Sequence, residues 1–312
     1  MKGIVVKSTG SWYTIITDNG EIFNCRLKGQ FRIHGFRTTN PVAVGDHVEF
    51  NFPESKDSGV IFAIAPRKNY IIRKSINLSK SAHIIASNID RLYIIASIML
   101  PRTSTGFIDR LLVTAEAYHI PAAIVFNKID IYSEEALVRC SELMTLYSSI
   151  GYPAYATSAL EGSGLEALRE ALAGKVNLFS GHSGVGKSAL INALDPKLKI
   201  RTGEISSYHN KGTHTTTFAE MHVLSFGGFM IDTPGIKEFG LVHFESQEVG
   251  ERFPEFRALL SACRYSNCTH VHEPGCAVKS ALSDGKINPG RYRNYLGILN
   301  DKNLDAEEGI KG

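Results

Sequence analysis

Apolar and polar positions alternate in short runs at the start of the chain: Gly3 to Lys7, Trp12 to Thr17, Glu21 to Arg26, His47 to Phe52 and Val60 to Ala65. Such period-two runs, broken by turn residues, predict β-strands. Asp18-Asn19-Gly20 between the second and third runs predicts a hairpin, because Asn-Gly tolerates the positive φ angles of a tight turn. Five short strands suit a small closed barrel, with an OB-fold the leading candidate. Pro66 to Ser81 reads as a linker. After it the period changes. Leu92 to Ile98 is continuously apolar, as in a strand buried on both faces, and Phe107 to His119 has helical spacing. Ala122 to Phe126 (strand), Ser133 to Ser149 (helix), Tyr152 to Thr157 (strand) and Leu165 to Leu172 (helix) continue the alternation. This order predicts a doubly wound α/β domain with a mostly parallel sheet, whose ligands bind at the carboxyl ends of the strands. Ser133, followed by Glu134 and Glu135, supplies a helix start. A final helical pattern spans Phe244 to about Leu260, with Phe253, Phe256, Leu259 and Leu260 on its inner face.

At 312 residues, 43% hydrophobic and 21% charged, the chain is an ordinary globular protein of about two domains. Its longest apolar run, Tyr93 to Leu100, is closed by Pro101 and Arg102, too short for a membrane span. The N-terminus lacks the apolar core of a signal peptide, so a cytoplasmic location is expected. The net charge of +3 does not by itself argue for nucleic acid, and its distribution is more informative. Cations outnumber acids in the predicted barrel, and Lys28 to Arg37 interleaves them with Phe31 and Phe36. That loop reads either as an RNA contact or as a solvated surface with its rings tucked inward.

Gly181-His182-Ser183-Gly184-Val185-Gly186-Lys187-Ser188 has the spacing G-x-x-x-x-G-K-[ST], between a short strand (Val176, Leu178, Phe179) and a helical stripe (Ala189, Leu190, Ile191, Leu194). This is a phosphate-binding loop. Its amides and the helix N-terminus would face the phosphates, Lys187 would reach the β- and γ-phosphates, and Ser188 would hold Mg²⁺. Asn127-Lys128-Ile129-Asp130, at a strand end, points to guanine: the Asp130 carboxylate can accept parallel bonds from guanine N1–H and the 2-amino group. Asn127 would brace a neighbouring loop, the Lys128 stem would lie over the base, and Ser158-Ala159 would offer a backbone N–H to guanine O6. One of Thr215, Thr216 and Thr217, in Gly212-Thr213-His214-Thr215-Thr216-Thr217, would complete the Mg²⁺ shell and sense the γ-phosphate; spacing does not choose among them. Asp232-Thr233-Pro234-Gly235 would bring Asp232 to Mg²⁺ and the Gly235 N–H to the γ-phosphate.

Three of the five cysteines cluster as Cys263, Cys268 and Cys276, and with His270 they give C-x4-C-x-H-x5-C. Three thiolates and an imidazole make a closed tetrahedral Zn²⁺ site of structural type. His272 is the rival fourth ligand. Beyond it, Lys279, Arg291 and Arg293 either present cations to RNA or form a solvated face.

The GTPase motifs are present in rotated order, NKID and SA before GHSGVGKS, GTHTTT and DTPG. With a basic barrel in front and the cysteine cluster behind, the chain resembles the RsgA (YjeQ) family of circularly permuted GTPases over nearly its whole length. The resemblance implies a role in late maturation of the 30S ribosomal subunit, contact with 16S rRNA, GTP hydrolysis to GDP stimulated by that particle, His270 as the fourth zinc ligand, and a monomer. The expected modules are an OB-fold at 1–70, a permuted GTPase domain at 71–240 and a zinc-binding helical domain at 241–312. Ile236 follows Gly235, where a water-positioning glutamine would often sit, so slow intrinsic hydrolysis is expected, with His214 aligning the water. Three other readings are a small-molecule phosphotransferase, a catalytic zinc hydrolase and a non-hydrolysing RNA-binding protein. The fourth protein ligand argues against the second, and the intact Lys187, Ser188 and Asp232 against the third.

Overall fold

A computed structural model of the chain describes residues 1–28, 41–53, 58–74, 82–200, 219–232 and 246–300. The alternating runs form β1 (Lys2–Ser8), β2 (Tyr13–Ile16), β3 (Ile22–Leu27), β4 (His47–Asn51) and β5 (Gly59–Ile64). β1 pairs antiparallel with β2 and β4, β2 with β3, and β4 with β5, while β3 runs parallel to β5. The ladder closes on itself as an OB-like barrel, which removes open edges among these strands. Every second residue points inward, and Val5, Tyr13, Ile15, Cys25, Val48, Phe50 and Ile61 fill the interior. The hairpin differs in detail from the expectation. In this turn only Gly20 takes a positive φ, 81°, and its N–H donates to the Thr17 carbonyl at 2.9 Å. The connection is a type I turn closed by a left-handed glycine, so Asn19 needs no unusual backbone. The basic loop from Lys28 to Arg37 lies, beyond Lys28, outside the described residues.

The stretch expected as a linker carries a strand. β6 (Tyr70–Lys74) pairs antiparallel with β7 (Ala82–Ser87). Tyr70-Ile71-Ile72 is too short an apolar run to announce itself, and its partner makes it a strand. This ribbon is tied to the barrel by the buried Asp46. That carboxylate accepts the Ala43 N–H at 2.8 Å, the Ser87 hydroxyl at 2.6 Å, and Arg67 through Nε and Nη2 at 2.6 Å each.

The alternating elements are β8 (Arg91–Ala96), α1 (Thr105–Ala117), β9 (Ala122–Asn127), α2 (Glu134–Ser149), β10 (Ala154–Thr157), α3 (Leu165–Leu172), β11 (Val176–Ser180), α4 (Lys187–Leu194), β12 (Glu220–Val223) and β13 (Phe229–Asp232). Ser133 caps α2 as expected, its Oγ accepting the Ala136 N–H at 3.3 Å. The last predicted helix is broken into α5 (Ser246–Glu251) and α6 (Pro254–Arg257), followed by α7 (Ala277–Ser283) and α8 (Pro289–Leu299). Pro254 is the cause: it has no N–H to donate and holds Phe253 extended at φ −99°, ψ 109°. Phe253 and Phe256 still face inward, fully buried.

By packing, the chain divides into two units, one of Met1–Leu92, Glu166–Ser180 and Ile191–Gly240, the other of Tyr93–Leu165, Gly181–Leu190 and Leu241–Gly312. In the first, β11 and β13 are parallel, β12 is antiparallel to β13, and β1 of the barrel continues the sheet by pairing with β12 at Lys7 and Glu220. In the second, β9 and β10 are parallel, with Asn127 level with Thr157. No helix among the described residues is long and apolar enough to cross a membrane.

The Asp46 network generates a prediction. Arg67→Met leaves a fully buried carboxylate without its cation and is expected to cost about 3 kcal/mol. Trp12, the single tryptophan, lies in the barrel segment and reports its unfolding by fluorescence. A denaturation midpoint equal to that of the unmodified chain would show that Asp46 does not hold the junction.

Candidate nucleotide site and metal centre

β11 is buried along its length and runs straight into the glycine-rich loop, whose last residue but one, Lys187, opens α4. Gly186 has φ 93°, and a Cβ there would lie 2.5 Å from Asn127 Nδ2, so both backbone conformation and crowding require glycine. Val185 is fully buried and anchors the loop from beneath. The Lys187 ammonium folds back over the loop, donating to the Gly181 carbonyl at 2.8 Å and the His182 carbonyl at 2.6 Å. A phosphate oxygen taken up by this loop would compete for the same cation.

Asn127, the last residue of β9, is 1% exposed. Its Nδ2 donates to the Val185 carbonyl at 3.0 Å, while its Oδ1 accepts the Thr157 hydroxyl at 3.1 Å and the Ala159 N–H at 3.3 Å. One amide thus joins the glycine-rich loop, the end of β10 and the Ser158-Ala159 turn. The bracing expected of Asn127 is present. Of the Ser158-Ala159 pair expected to offer a backbone N–H to a base carbonyl, the Ser158 N–H donates to the Ser163 carbonyl at 3.0 Å and the Ala159 N–H to Asn127 at 3.3 Å, near the limit of a hydrogen bond, so a carbonyl acceptor would have to share or replace one of these bonds. Lys128 adopts φ 69°, which turns the chain into a 3-10 turn at Ile129–Ile131. Its Nζ donates to the Leu100 carbonyl at 2.7 Å. The Asp130 carboxylate accepts the Ser158 hydroxyl at 2.5 Å through Oδ1, an orienting bond that leaves lone pairs for two further donors. Sequence reasoning missed Tyr132. Its buried hydroxyl accepts the Ile98 N–H at 2.8 Å and donates to the Asn127 carbonyl at 2.9 Å, and burial raises its pKa. Nothing in the local pattern marks that tyrosine, because the Ile98 N–H that ties it to the rest of the site comes from a different loop.

Within one unit the structure therefore gathers Asn127, Lys128, Asp130, Ser158, Ala159 and the loop from Gly181 through Ser188. Asp232 ends β13, one position beyond the pair Leu178–Ile231 in the parallel register with β11. His214, Thr215, Thr216, Thr217, Gly235 and Ile236 lie outside the described residues.

Cys263, Cys268, His270 and Cys276 converge, their ligand atoms all within 4.8 Å of one another. His270 presents Nδ1, 3.7 Å from Cys263 Sγ and 3.4 Å from Cys276 Sγ. Thiolates at ~2.3 Å from a tetrahedral zinc stand ~3.8 Å apart, so the spacing and the donor set fit such an ion. The chemistry agrees. Burial pushes the Cys268 thiol up to about 12 and lowers the pKa of His270, which favours a neutral imidazole and means that a thiolate here needs a cation. Cys276 also caps α7, its Sγ accepting the Lys279 N–H at 3.5 Å. His272 is exposed and takes no part in the cluster. Sequence reasoning missed the loop's internal support. Burial pushes the Glu273 carboxyl up, but bonds from the Thr269 hydroxyl and from the amides of Thr269 and Val271 hold it at about 2. Tyr292 and Tyr295 donate to the carbonyls of His270 and Thr269 at 2.7 and 2.5 Å. Arg291, expected as a surface cation, is 2% exposed. It pairs with Asp109 of α1 at 2.5 Å and with Glu255 of α6 at 2.7 Å. Burial works against its charge, and the two carboxylates more than offset that, so its pKa is raised. Arg293 does lie at the surface.

Residues 2–61 match the model of the RsgA N-terminal domain, and residues 64–242 that of the RsgA GTPase. The chain is 53% identical over 309 residues to the small ribosomal subunit biogenesis GTPase RsgA of Bacteroides fragilis strain YCH46, an overlap of 99% of this chain and 98% of that one. The chain belongs to the RsgA family. A relative from Porphyromonas gingivalis, bearing the same description, is 49% identical over 98% of each chain. Among solved structures, YjeQ from Thermotoga maritima superposes with a TM-score of 0.79 at 36% identity, over 96% of this chain and 97% of that one. YloQ, described as a circularly permuted GTPase, gives 0.75 at 28% identity, over 98% and 95%. As an RsgA-family member the chain is a GTP hydrolase, and its rotated motif order is that of a circularly permuted GTPase behind an OB-like barrel.

A metal ion on this cluster is expected to order the rings around it. Phe253, Phe256 and Tyr295 pack around it with ring centroids 5.0 to 5.5 Å apart. Removal of the ion by a chelator, or Cys268→Ser, is expected to abolish much of the near-ultraviolet circular dichroism from these rings and to release one equivalent of metal. An unchanged spectrum after complete metal release would mean that the rings hold the segment without it.

Proposed function

We propose that this chain binds the 30S ribosomal subunit through its 16S rRNA, assists its late maturation, and hydrolyses GTP to GDP and phosphate at a rate the particle stimulates. The observation that carries the nucleotide half of this reading is the three-way brace at Asn127, which holds a phosphate loop and a guanine-type NKxD turn in one site. The ribosomal half is supported by relatives described as small ribosomal subunit biogenesis GTPases over nearly their full length. In this reading Gly181, His182, Ser183, Gly184, Val185 and Gly186 wrap the phosphates with their amides and Lys187 neutralises them. Ser188, Asp232 and one of Thr215, Thr216 and Thr217 serve Mg²⁺, and the Gly235 N–H meets the γ-phosphate. Asn127, Lys128, Asp130, Ser158 and Ala159 select guanine. A zinc ion on Cys263, Cys268, His270 and Cys276 is structural. The modules are a barrel at 1–70, a GTPase core at 71–240 and a zinc-binding helical region at 241–312, in a cytoplasmic monomer. His214 aligns the attacking water, since Ile236 cannot.

Multiple-turnover phosphate release with and without purified small subunits tests the reading, with Lys187→Ala as the blank and ATP as the rival nucleotide. Stimulation is expected with GTP alone and with the small subunit alone; equal slow rates in both conditions would remove the ribosomal assignment. In the same assay His214→Ala is expected to abolish stimulation while leaving particle binding intact, and stimulated turnover at the original rate would rule out its role. Guanine selection has a separate test. Asp130→Asn converts one acceptor into a donor, so GTP affinity is expected to fall by at least about a hundredfold while affinity for xanthosine triphosphate, with a carbonyl at that position, rises. Undiminished GTP binding by this variant would place the selection elsewhere.

A further inference from the structure

The connection from β8 to α1, residues Ser97 to Ser104, carries no motif, yet together with the first turn of α1 it touches both nucleotide loops. It is closed on itself, with the Thr103 N–H donating to the Ser97 carbonyl at 2.8 Å and the Ser97 N–H to Thr103 Oγ1 at 3.1 Å. On the guanine side, its Leu100 carbonyl accepts Lys128 Nζ and its Ile98 N–H donates to Tyr132. On the phosphate side, Pro101 lies so near Gly184 that a Cβ there would be 3.4 Å from Pro101 Cδ. The closest approach is at the start of α1. The Phe107 ring stacks on the His182 imidazole in the glycine-rich loop, centroids 3.6 Å apart and planes 26° from parallel. Phe107 is not free to drift. Ser104 caps its N–H at 3.1 Å, and two residues further on Asp109 is locked to α8 by Arg291 and by Asn294 at 2.6 Å, and to α2 by the Tyr147 hydroxyl at 2.9 Å.

We propose that Phe107 is a positioning residue for nucleotide binding: stacked on His182 and held by a helix anchored to α8, it keeps the first half of the phosphate loop in its nucleotide-accepting shape. The inference rests on reading residues 181–188 as the phosphate loop. A glycine-rich loop gains affinity by being ordered before its ligand arrives, because ordering then is not charged against binding. An aromatic stack restrains the second residue of this loop, between two glycines at 181 and 184 that restrain nothing.

The test is a comparison of variants of the full chain by GDP titration and by GTP turnover. Phe107→Leu keeps apolar bulk but loses the stack, and is expected to raise the dissociation constant for GDP and the KM for GTP roughly three- to tenfold, with kcat altered less than twofold. Phe107→Tyr is expected to restore both within twofold. His182→Leu removes the stack from the other side and is expected to weaken GDP to a similar degree, with the double variant no weaker than either single one. Unchanged affinity in Phe107→Leu, failure of tyrosine to rescue it, or additive losses in the double variant would each overturn the proposal. Lys187→Ala separates the two levels: if it binds GDP as tightly as the unmodified chain, the phosphate-loop reading falls and the positioning role falls with it; if it loses GDP while Phe107→Leu does not, only the positioning role is lost.

Discussion

The amide of Asn127 is the interaction on which the nucleotide site depends. An amide side chain carries donors at one end and an acceptor with two lone pairs at the other, and here both ends are used, toward the Val185 carbonyl on one side and toward Thr157 and Ala159 on the other. At 1% exposure, water cannot replace a lost partner, so each bond is worth more than a surface equivalent. The parallel register that sets Asn127 level with Thr157 creates the reach, and the lack of a Cβ at Gly186 creates the room. Strand pairing and glycine placement are thus one constraint on the proposed nucleotide site.

The same economy governs the buried charges. Asp46 in the barrel unit and Asp109 in the other are both fully buried, and each accepts bonds from donors brought from distant segments. Buried carboxylates are costly unless every lone pair is used, so such clusters admit only one arrangement of the elements that supply the donors. Asp46 orients the β6–β7 ribbon against the barrel, and Asp109 joins α1, α2 and α8. The cysteine–histidine cluster acts in the same way on its own short segment, where Glu273, Tyr292 and Tyr295 satisfy the loop's backbone around the ligands.

What could be read in advance follows from the range of the physics involved. The barrel strands, the parallel α/β strands, the Ser133 cap, the phosphate loop and the metal ligands depend on residues close in sequence, where period, turn chemistry and ligand spacing are visible. The strand β6 was hidden because its apolar run is short and its stability comes from β7. The helix through Phe253 was predicted unbroken because its apolar period persists across Pro254, although the proline interrupts the backbone there. Arg291 looks like any surface cation in sequence. Its two acidic partners, Asp109 and Glu255, stand 182 and 36 residues away.

The sequence by itself determined the family, the permuted GTPase motif order and the three cysteine donors of the candidate metal cluster, because glycine spacing, an NKxD turn and clustered thiols act through local backbone geometry and ligand type; the fold brought in His270 and left His272 exposed. The tertiary structure decided which residues support that chemistry. Tyr132 bonded to Ile98, Phe107 against His182, and Arg291 locked inside rather than facing a partner all arise from contacts between segments far apart in the chain. Such contacts are set by packing and desolvation in the folded state, and no periodicity along the sequence records them.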